Sequence, residues 1–200
     1  AIDRVLMGPE KKHRVMSEMD RKVFAYHEAG HAVVAHFSEH GDPVHKVTIV
    51  GRGSAGGYTM MLPEEERFVS TRSKLLDDLV NLLGGRAAEA LAIGEISTGA
   101  HNDLERVTRI ARKMVMEWGM SDKLGPLTFG RPNGEDLVFL GRDISRERNY
   151  SEEVAALIDQ EVRELVESSY EKATQLLSEH RDKLDLVANA LLERETLTKE

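Results

Sequence analysis

Residues 26–37, YHEAGHAVVAHF, place His27, Glu28 and His31 in a run that is otherwise largely apolar. Upstream, Ser17 and Asp20 have the spacing of a capping box, in which each side chain bonds the backbone of the other residue. No proline follows before residue 38, so we predict one helix over 18–38 that carries the three polar side chains. Burying such groups in a core without partners is costly, which calls for a chemical reason.

The spacing of the two histidines predicts a metal site. At about 3.6 residues per turn, His27 and His31 lie one turn apart on the same face of the helix, and Glu28 is displaced by about 100° towards that side. Neutral imidazoles are preferred ligands of zinc, while a carboxylate too far round the helix to bind the ion can deprotonate water held there. We therefore predict that the histidines bind one zinc ion and that Glu28 is a general base.

A catalytic zinc site needs a third protein ligand and an open position. The extended pattern His-Glu-x-x-His-x-x-Gly-x-x-His is not present, because Val34 stands at the glycine position and Phe37 at the position of the third histidine. The third ligand must come from elsewhere, and the candidates are Glu89, Glu95, His101 and Asp103. Asp103 stands at a predicted helix start and Glu89 on a predicted helix, and spacing alone does not separate them.

Composition narrows the classes of function. The formal net charge is -8, which argues against a nucleic-acid partner, since binding a phosphate backbone needs a basic stripe. The chain has no cysteine, so any metal must be held by histidine and carboxylate. It contains neither an apolar run of about 18 residues nor a signal-peptide core. We expect a soluble chain, and its start at Ala1 rather than Met suggests a fragment.

The organisation predicted is a mainly α domain with a small β element. We predict a linker from a preceding domain over 1–16 and one domain over 17–200. An alternating, β-branched run at 44–50 and the short segment YTMML at 58–62, joined by a glycine-rich connection, predict a hairpin. Helical patterns cover 71–93, 102–119 and much of 151–200, with a short strand predicted at 137–140. Gly30 lies in a helical pattern, where glycine costs about 1 kcal/mol, and indicates the close approach of another backbone or a ligand, whereas Gly84-Gly85 indicates a break or a point of tight packing.

Seven motifs, taken in order, carry a resemblance to a known family. They are AYHEAGHAVV, HKVTIVGRG, GGYTMMLP, LLGGRAAE, STGAHNDLERVT, WGMSDKLGPL and FLGRD. Together they resemble the peptidase domain of the FtsH family of membrane-anchored, ATP-dependent AAA+ zinc proteases, almost from end to end of the chain. His101 departs from the family pattern, which usually has a small or amide residue there, and we expect this histidine to be exposed.

The resemblance implies a helical zinc peptidase domain with a small sheet beside its active-site helix. It implies one Zn²⁺ bound by His27, His31 and Asp103, with Glu28 as the base, and so favours Asp103 over Glu89. It also implies that the β element takes up substrate as an added strand, which makes the following residues the expected substrate-binding positions: Gly57, Tyr58, Thr59 and Met60.

The resemblance further implies a homo-hexamer that degrades unfolded or membrane-extracted polypeptides. The full-length protein is expected to be anchored in a membrane, with this domain on the cytoplasmic side or the equivalent organelle matrix or stroma. The chain contains no P-loop sequence, so ATP is expected to act only through an AAA+ ATPase domain elsewhere in the full-length protein. The rival hypothesis is a helical assembly or adaptor module whose metal is structural or lost.

Overall fold

The computed structural model describes residues 16–51, 56–63, 68–130 and 149–199. The predicted strand at 137–140 lies outside these ranges, as does nearly all of the predicted linker over 1–16. The helices within these ranges are α1 Glu18–Phe37, α2 Arg72–Ala92, α3 His101–Met116, α4 Glu152–Glu179 and α5 Arg181–Arg194. The strands are β1 Val44–Thr48, β2 Tyr58–Met61 and β3 Thr196–Thr198, and one turn of 3-10 helix, Thr98–Ala100, precedes α3. The predicted mainly α fold with a small β element is confirmed.

Local sequence explains where α1 and α2 begin. The predicted capping box at the start of α1 is present, with the Ser17 hydroxyl accepting from the Asp20 amide at 3.0 Å and the Asp20 carboxylate accepting from the Ser17 amide. Thr71 caps α2 by accepting from the Lys74 amide at 3.2 Å. These caps satisfy amides that the first helical turn leaves without a carbonyl partner.

The sheet has the order β2-β1-β3 and is antiparallel throughout. The hairpin of β1 and β2 is the one that the sequence predicts. The third strand is not foreseen by the sequence, because a run of three residues after a helix carries too little periodicity to be recognised. Glu195 makes it possible by adopting φ 62°, a left-handed conformation that ends α5 and turns the chain back along β1.

The core is built where α1 packs on α2, with α3, α4 and α5 around this pair. Its fully buried side chains are mostly aliphatic and come from every helix: Val34, Leu79, Leu83, Val107, Met114, Leu177, Leu184 and Leu191. None of the helices in the described ranges is long and apolar enough to cross a lipid bilayer.

The backbones of α1 and α2 approach each other closely at two glycines. A Cβ on Gly30 would overlap the carbonyl oxygen of Gly84 and lie 2.6 Å from the Cβ of Ala88, whereas a Cβ on Gly84 would lie 3.0 Å from the carbonyl oxygen of Gly30. The predicted tight packing at the Gly84 position is therefore confirmed, and α2 continues through it without a break. Backbone contacts backbone here because neither residue has a side chain.

We expect Gly30→Ala to lower the free energy of unfolding by about 1–3 kcal/mol, because overpacking outweighs the roughly 1 kcal/mol that alanine adds to helix stability. Gly84→Ala, whose added methyl meets looser contacts, serves as the graded comparison and should cost less. Urea unfolding of both variants measures the difference. A Gly30→Ala variant as stable as the parent would contradict this account of the helix crossing.

A buried carboxylate joins α2 to two other parts of the chain. Asp77 is 4% exposed, and its oxygens accept from Lys172 Nζ of α4 at 2.9 Å and from the His40 amide at 3.0 Å. Burial alone would raise the pKa of Asp77, but these two hydrogen bonds outweigh it and hold the pKa below the ordinary value. Asp77 thus stabilises the folded state in its ionised form.

The lowered pKa fixes the sign of the pH dependence. The stabilisation from Asp77 should be complete above the pKa of an unfolded aspartate, about 3.9, and should be lost as the pH falls through the lower folded-state pKa. We expect Asp77→Asn to lower the free energy of unfolding by about 1–2 kcal/mol at pH 7, with the deficit shrinking below about pH 4. Asp122→Asn, which removes an exposed carboxylate near Arg72, is the control and should change little. Urea titrations at several pH values test both, and a deficit that grows on acidification would contradict the assignment.

Candidate metal centre

The histidine pair lies on the buried face of α1. His27 and His31 are 6% and 7% exposed, and their Nε2 atoms are 3.1 Å apart. Because one helical turn separates the two residues, both rings extend from the same face, with an interplanar angle of 78°. The helix thus presents two ring nitrogens to one point.

Asp103 meets this pair from the first turn of α3. Its Oδ2 lies 3.2 Å from His27 Nε2 and 3.3 Å from His31 Nε2. A tetrahedral zinc ion with bonds of about 2.0–2.1 Å has ligand atoms about 3.3–3.4 Å from one another. The triangle of two nitrogens and one oxygen has nearly these edges, so His27, His31 and Asp103 fit a zinc ion. Within the described ranges, no second group of three such side chains converges in this way.

The ring nitrogens that face away from the centre have fixed partners. His31 Nδ1 donates to the backbone carbonyl of Asn81 at 2.8 Å, and the side-chain Nδ2 of Asn81 donates to the backbone carbonyl of His31 at 3.0 Å. A carbonyl can only accept, so the proton of a neutral His31 belongs on Nδ1 and Nε2 offers its lone pair to the centre.

Glu89 fixes the Nδ1 atom of His27 in a similar way, through a carboxylate oxygen. Its Oε1 lies 2.6 Å from His27 Nδ1, and its Oε2 accepts from the Ser97 amide at 2.7 Å. Burial would raise the pKa of Glu89, but the hydrogen bonds from His27 and Ser97 outweigh it and lower the pKa, so this carboxylate is ionised and accepts. Such outer carboxylates orient metal-bound histidines and increase their basicity.

Of the four candidates for a third ligand, Asp103 is the one that the structure brings to the imidazole pair. Glu89 lies behind His27, on the opposite side of the ring from the centre. Glu95 and His101 are exposed, and His101 Nε2 lies 3.6 Å from Glu105 on the surface of α3. The exposure expected for His101 is confirmed. The position of Glu89 behind the His27 ring was not predicted. A signal was present, because a single glutamate among small and apolar residues (AAEALA, 87–92) indicates a buried carboxylate with a partner.

Gly85 explains how α2 passes so close to the centre. A Cβ on this residue would lie 2.5 Å from Cε1 and 2.6 Å from Nε2 of His27, inside the volume of the ring. The second glycine of the Gly84-Gly85 pair thus makes room for an imidazole, while the first makes room for the backbone of α1.

Glu28 is buried beside the pair and is held by β2. Its Oε2 accepts from the Thr59 hydroxyl at 2.7 Å, and a Cβ on Gly57 would lie 3.2 Å from its Oε1. Burial raises the pKa of Glu28, and the nearby His31 and His27 rings and the Thr59 hydrogen bond only partly offset this effect. A raised pKa suits a carboxylate that must both take and return a proton near neutral pH.

The carboxylates give the centre a negative potential. Burial would lower the pKa of His27, but its hydrogen bonds with Asp103 and Glu89 and the charge of Glu28 outweigh burial and raise the pKa to about 10. In turn, burial would raise the pKa of Asp103, but hydrogen bonds from the two imidazoles hold it below the ordinary value. The surroundings thus favour positive charge between these groups, as a metal-binding site requires.

This arrangement has the form of a single-zinc site, in which a His-Glu-x-x-His helix and a remote carboxylate supply the donor atoms. A family model described as Peptidase family M41 matches residues 14–200. The chain therefore belongs to peptidase family M41, and its resemblance to FtsH peptidase domains is confirmed.

Curated relatives match over the whole chain. ATP-dependent zinc metalloprotease FtsH 1 of Thermoanaerobacter sp. (strain X514) is 58% identical over 200 residues, covering 100% of this chain and 32% of the relative. ATP-dependent zinc metalloprotease FtsH 3 of Symbiobacterium thermophilum is 59% identical over 198 residues, covering 98% of this chain and 31% of the relative. The Bacillus subtilis (strain 168) ATP-dependent zinc metalloprotease FtsH is 56% identical over 200 residues, covering 100% of this chain and 31% of the relative. The chain thus spans about a third of the length of these relatives.

Zinc titration separates the two buried carboxylates. We expect Asp103→Ala to lose stoichiometric zinc after dialysis, because only two protein ligands remain. Glu89→Gln should retain the ligand set but bind zinc about 10–100-fold more weakly, because it alters the partner of His27. Glu105→Ala removes an exposed carboxylate from the same turn of α3 and should bind zinc like the parent. Tight, stoichiometric zinc in Asp103→Ala would show that the third ligand is misassigned.

Proposed function

We propose that this chain is a zinc-dependent endopeptidase domain that hydrolyses peptide bonds in unfolded or membrane-extracted polypeptides. The observation that carries the proposal is the triangle of His27 Nε2, His31 Nε2 and Asp103 Oδ2, with edges of 3.1–3.3 Å, next to the buried Glu28. Three protein donors leave a fourth tetrahedral position for water or substrate, whereas structural zinc sites are usually closed by four protein ligands.

His27, His31 and Asp103 would hold the ion, and Glu28 would move the proton. Bound zinc supplies Lewis-acid chemistry, which polarises the scissile carbonyl and acidifies water. Glu28 accepts a proton from the attacking water and then donates it to the nitrogen of the leaving amine. The burial that raises the pKa of Glu28 supports this double role, since the group must be protonated after the first step.

We infer that β2 receives the substrate, with Gly57, Tyr58, Thr59 and Met60 as the binding residues. Support comes from the position of β2 at an edge of the described sheet, where an extended peptide can add as a further strand. Thr59 of the same strand bonds Glu28, so a peptide paired with β2 would lie within reach of the proposed base.

We propose that the full-length protein is an ATP-dependent protease in which this domain occupies 17–200 and residues 1–16 link it to an AAA+ ATPase domain. The names of the relatives support ATP dependence and zinc. ATP would act only through that other domain. A homo-hexamer anchored in a membrane, with the peptidase domain on the cytoplasmic side or in an organelle matrix or stroma, completes the proposal. Unfolded proteins are the expected partners and nucleic acid is not, in keeping with the net charge of -8.

The test of the proposed reaction is Glu28→Gln. We expect this variant to bind zinc stoichiometrically yet hydrolyse fluorescein-labelled, unfolded casein about 10²–10⁴-fold more slowly, because the amide cannot accept the proton. Glu95→Gln neutralises an exposed carboxylate and should leave hydrolysis unchanged. Full casein hydrolysis by zinc-loaded Glu28→Gln would refute the general-base role. Zinc binding without any chelator-sensitive cleavage by the parent would instead favour a structural metal.

A further inference from the structure

Glu28, the proposed base, has a flexible side chain whose carboxylate must be held in one orientation. A glutamate has several rotatable bonds, and a general base must hold one oxygen within hydrogen-bond reach of the proton that it takes. Glu28 lies on α1, but the helix fixes only its backbone, so the orientation of the carboxylate depends on what surrounds its end. The contacts of the two carboxylate oxygens are therefore informative.

One oxygen of Glu28 is held by Thr59. The Thr59 hydroxyl lies 2.7 Å from Glu28 Oε2 and 3.1 Å from the Glu28 backbone carbonyl. A hydroxyl has a single hydrogen to donate, and the shorter distance together with the charge of the acceptor favours the carboxylate. The other oxygen, Oε1, lies beside Gly57, which has no side chain to crowd it.

The sheet fixes the position of Thr59. Thr59 pairs with Val47 of β1, and residues opposite each other in an antiparallel pair point to the same face. Val47 is 4% exposed and part of the core, so this face is turned towards the helices. Because threonine is β-branched, its χ1 angle is restricted and its hydroxyl has few alternative positions.

We propose that Thr59 is the positioning residue for Glu28: its hydroxyl fixes Oε2 and leaves Oε1 as the oxygen that exchanges the proton. The inference rests on the proposed function, since it assigns Thr59 a task only if Glu28 is the base. The strand proposed to bind the substrate backbone then also carries the group that orients the base. The strand β2 would therefore both set the register of the bound peptide and align the carboxylate of Glu28.

Turnover of a short fluorogenic peptide is the first test. We expect Thr59→Val to lower kcat about 10–100-fold with KM within about twofold of the parent, because the variant keeps the strand backbone and loses only the hydroxyl. Thr59→Ser, which restores the hydroxyl, should recover most of kcat. Thr48→Val, which removes a buried hydroxyl bonded to Thr196 in the same sheet, controls for a loss of sheet stability and should leave kcat near that of the parent.

A double-mutant cycle in urea, with EDTA present, gives a readout independent of zinc-loaded activity. Thr59→Val should lower the urea midpoint of the parent but have a clearly smaller effect in a Glu28→Ala background, because the carboxylate acceptor is already gone. Additive shifts would show that the hydroxyl serves the Glu28 carbonyl instead, and would overturn the inference.

The outcomes also separate this inference from the proposed function. An active, zinc-loaded Glu28→Gln variant would remove the base and the inference with it. If Glu28→Gln is inactive while Thr59→Val turns over like the parent, the proposed function stands and the role of Thr59 is wrong. A loss of kcat in Thr59→Val that Thr59→Ser does not restore would likewise overturn it.

Discussion

The contact between the backbones of α1 and α2 at Gly30 and Gly84 is the constraint on which the rest of the structure depends. With no side chain at either position, the helices lie close enough for Asn81 to exchange hydrogen bonds with His31 and for Glu89 to reach His27. A separation larger by the width of one methyl group would break these short bonds and leave the two rings free to rotate. The packing of the two helices and the orientation of the two imidazoles therefore share one cause.

The charges of the carboxylates around His27 and His31 are a second constraint on the site. Glu28, Glu89 and Asp103 surround two buried imidazoles, and each carboxylate has a different set of partners. The pKa of Glu28 is raised while those of Glu89 and Asp103 are lowered, which agrees with the different roles proposed for them: proton exchange, ring orientation and metal binding. Their surroundings separate these roles, and those surroundings come from different elements of the fold.

Sequence reasoning predicts the local part of this arrangement. The capping box, the helix that carries His27 and His31, and the hairpin all follow from patterns within about twenty residues. The choice between Asp103 and Glu89 does not follow from spacing, because both are acids on helices and only the way in which α2 and α3 pack decides which one reaches the Nε2 atoms. β3 is not predicted from local patterns either, because it has only three residues and its partner strand lies about 150 residues earlier in the chain.

The pairing of β3 with β1 has a consequence for the order of events during synthesis. Residues 44–48 leave the ribosome before Thr196–Thr198, so the ladder between these two segments can form only after about 150 further residues have been synthesised. The helices that supply His27, His31 and Asp103 are complete well before then. A nascent chain can thus bring these three side chains together before the third strand is added to the sheet beside them.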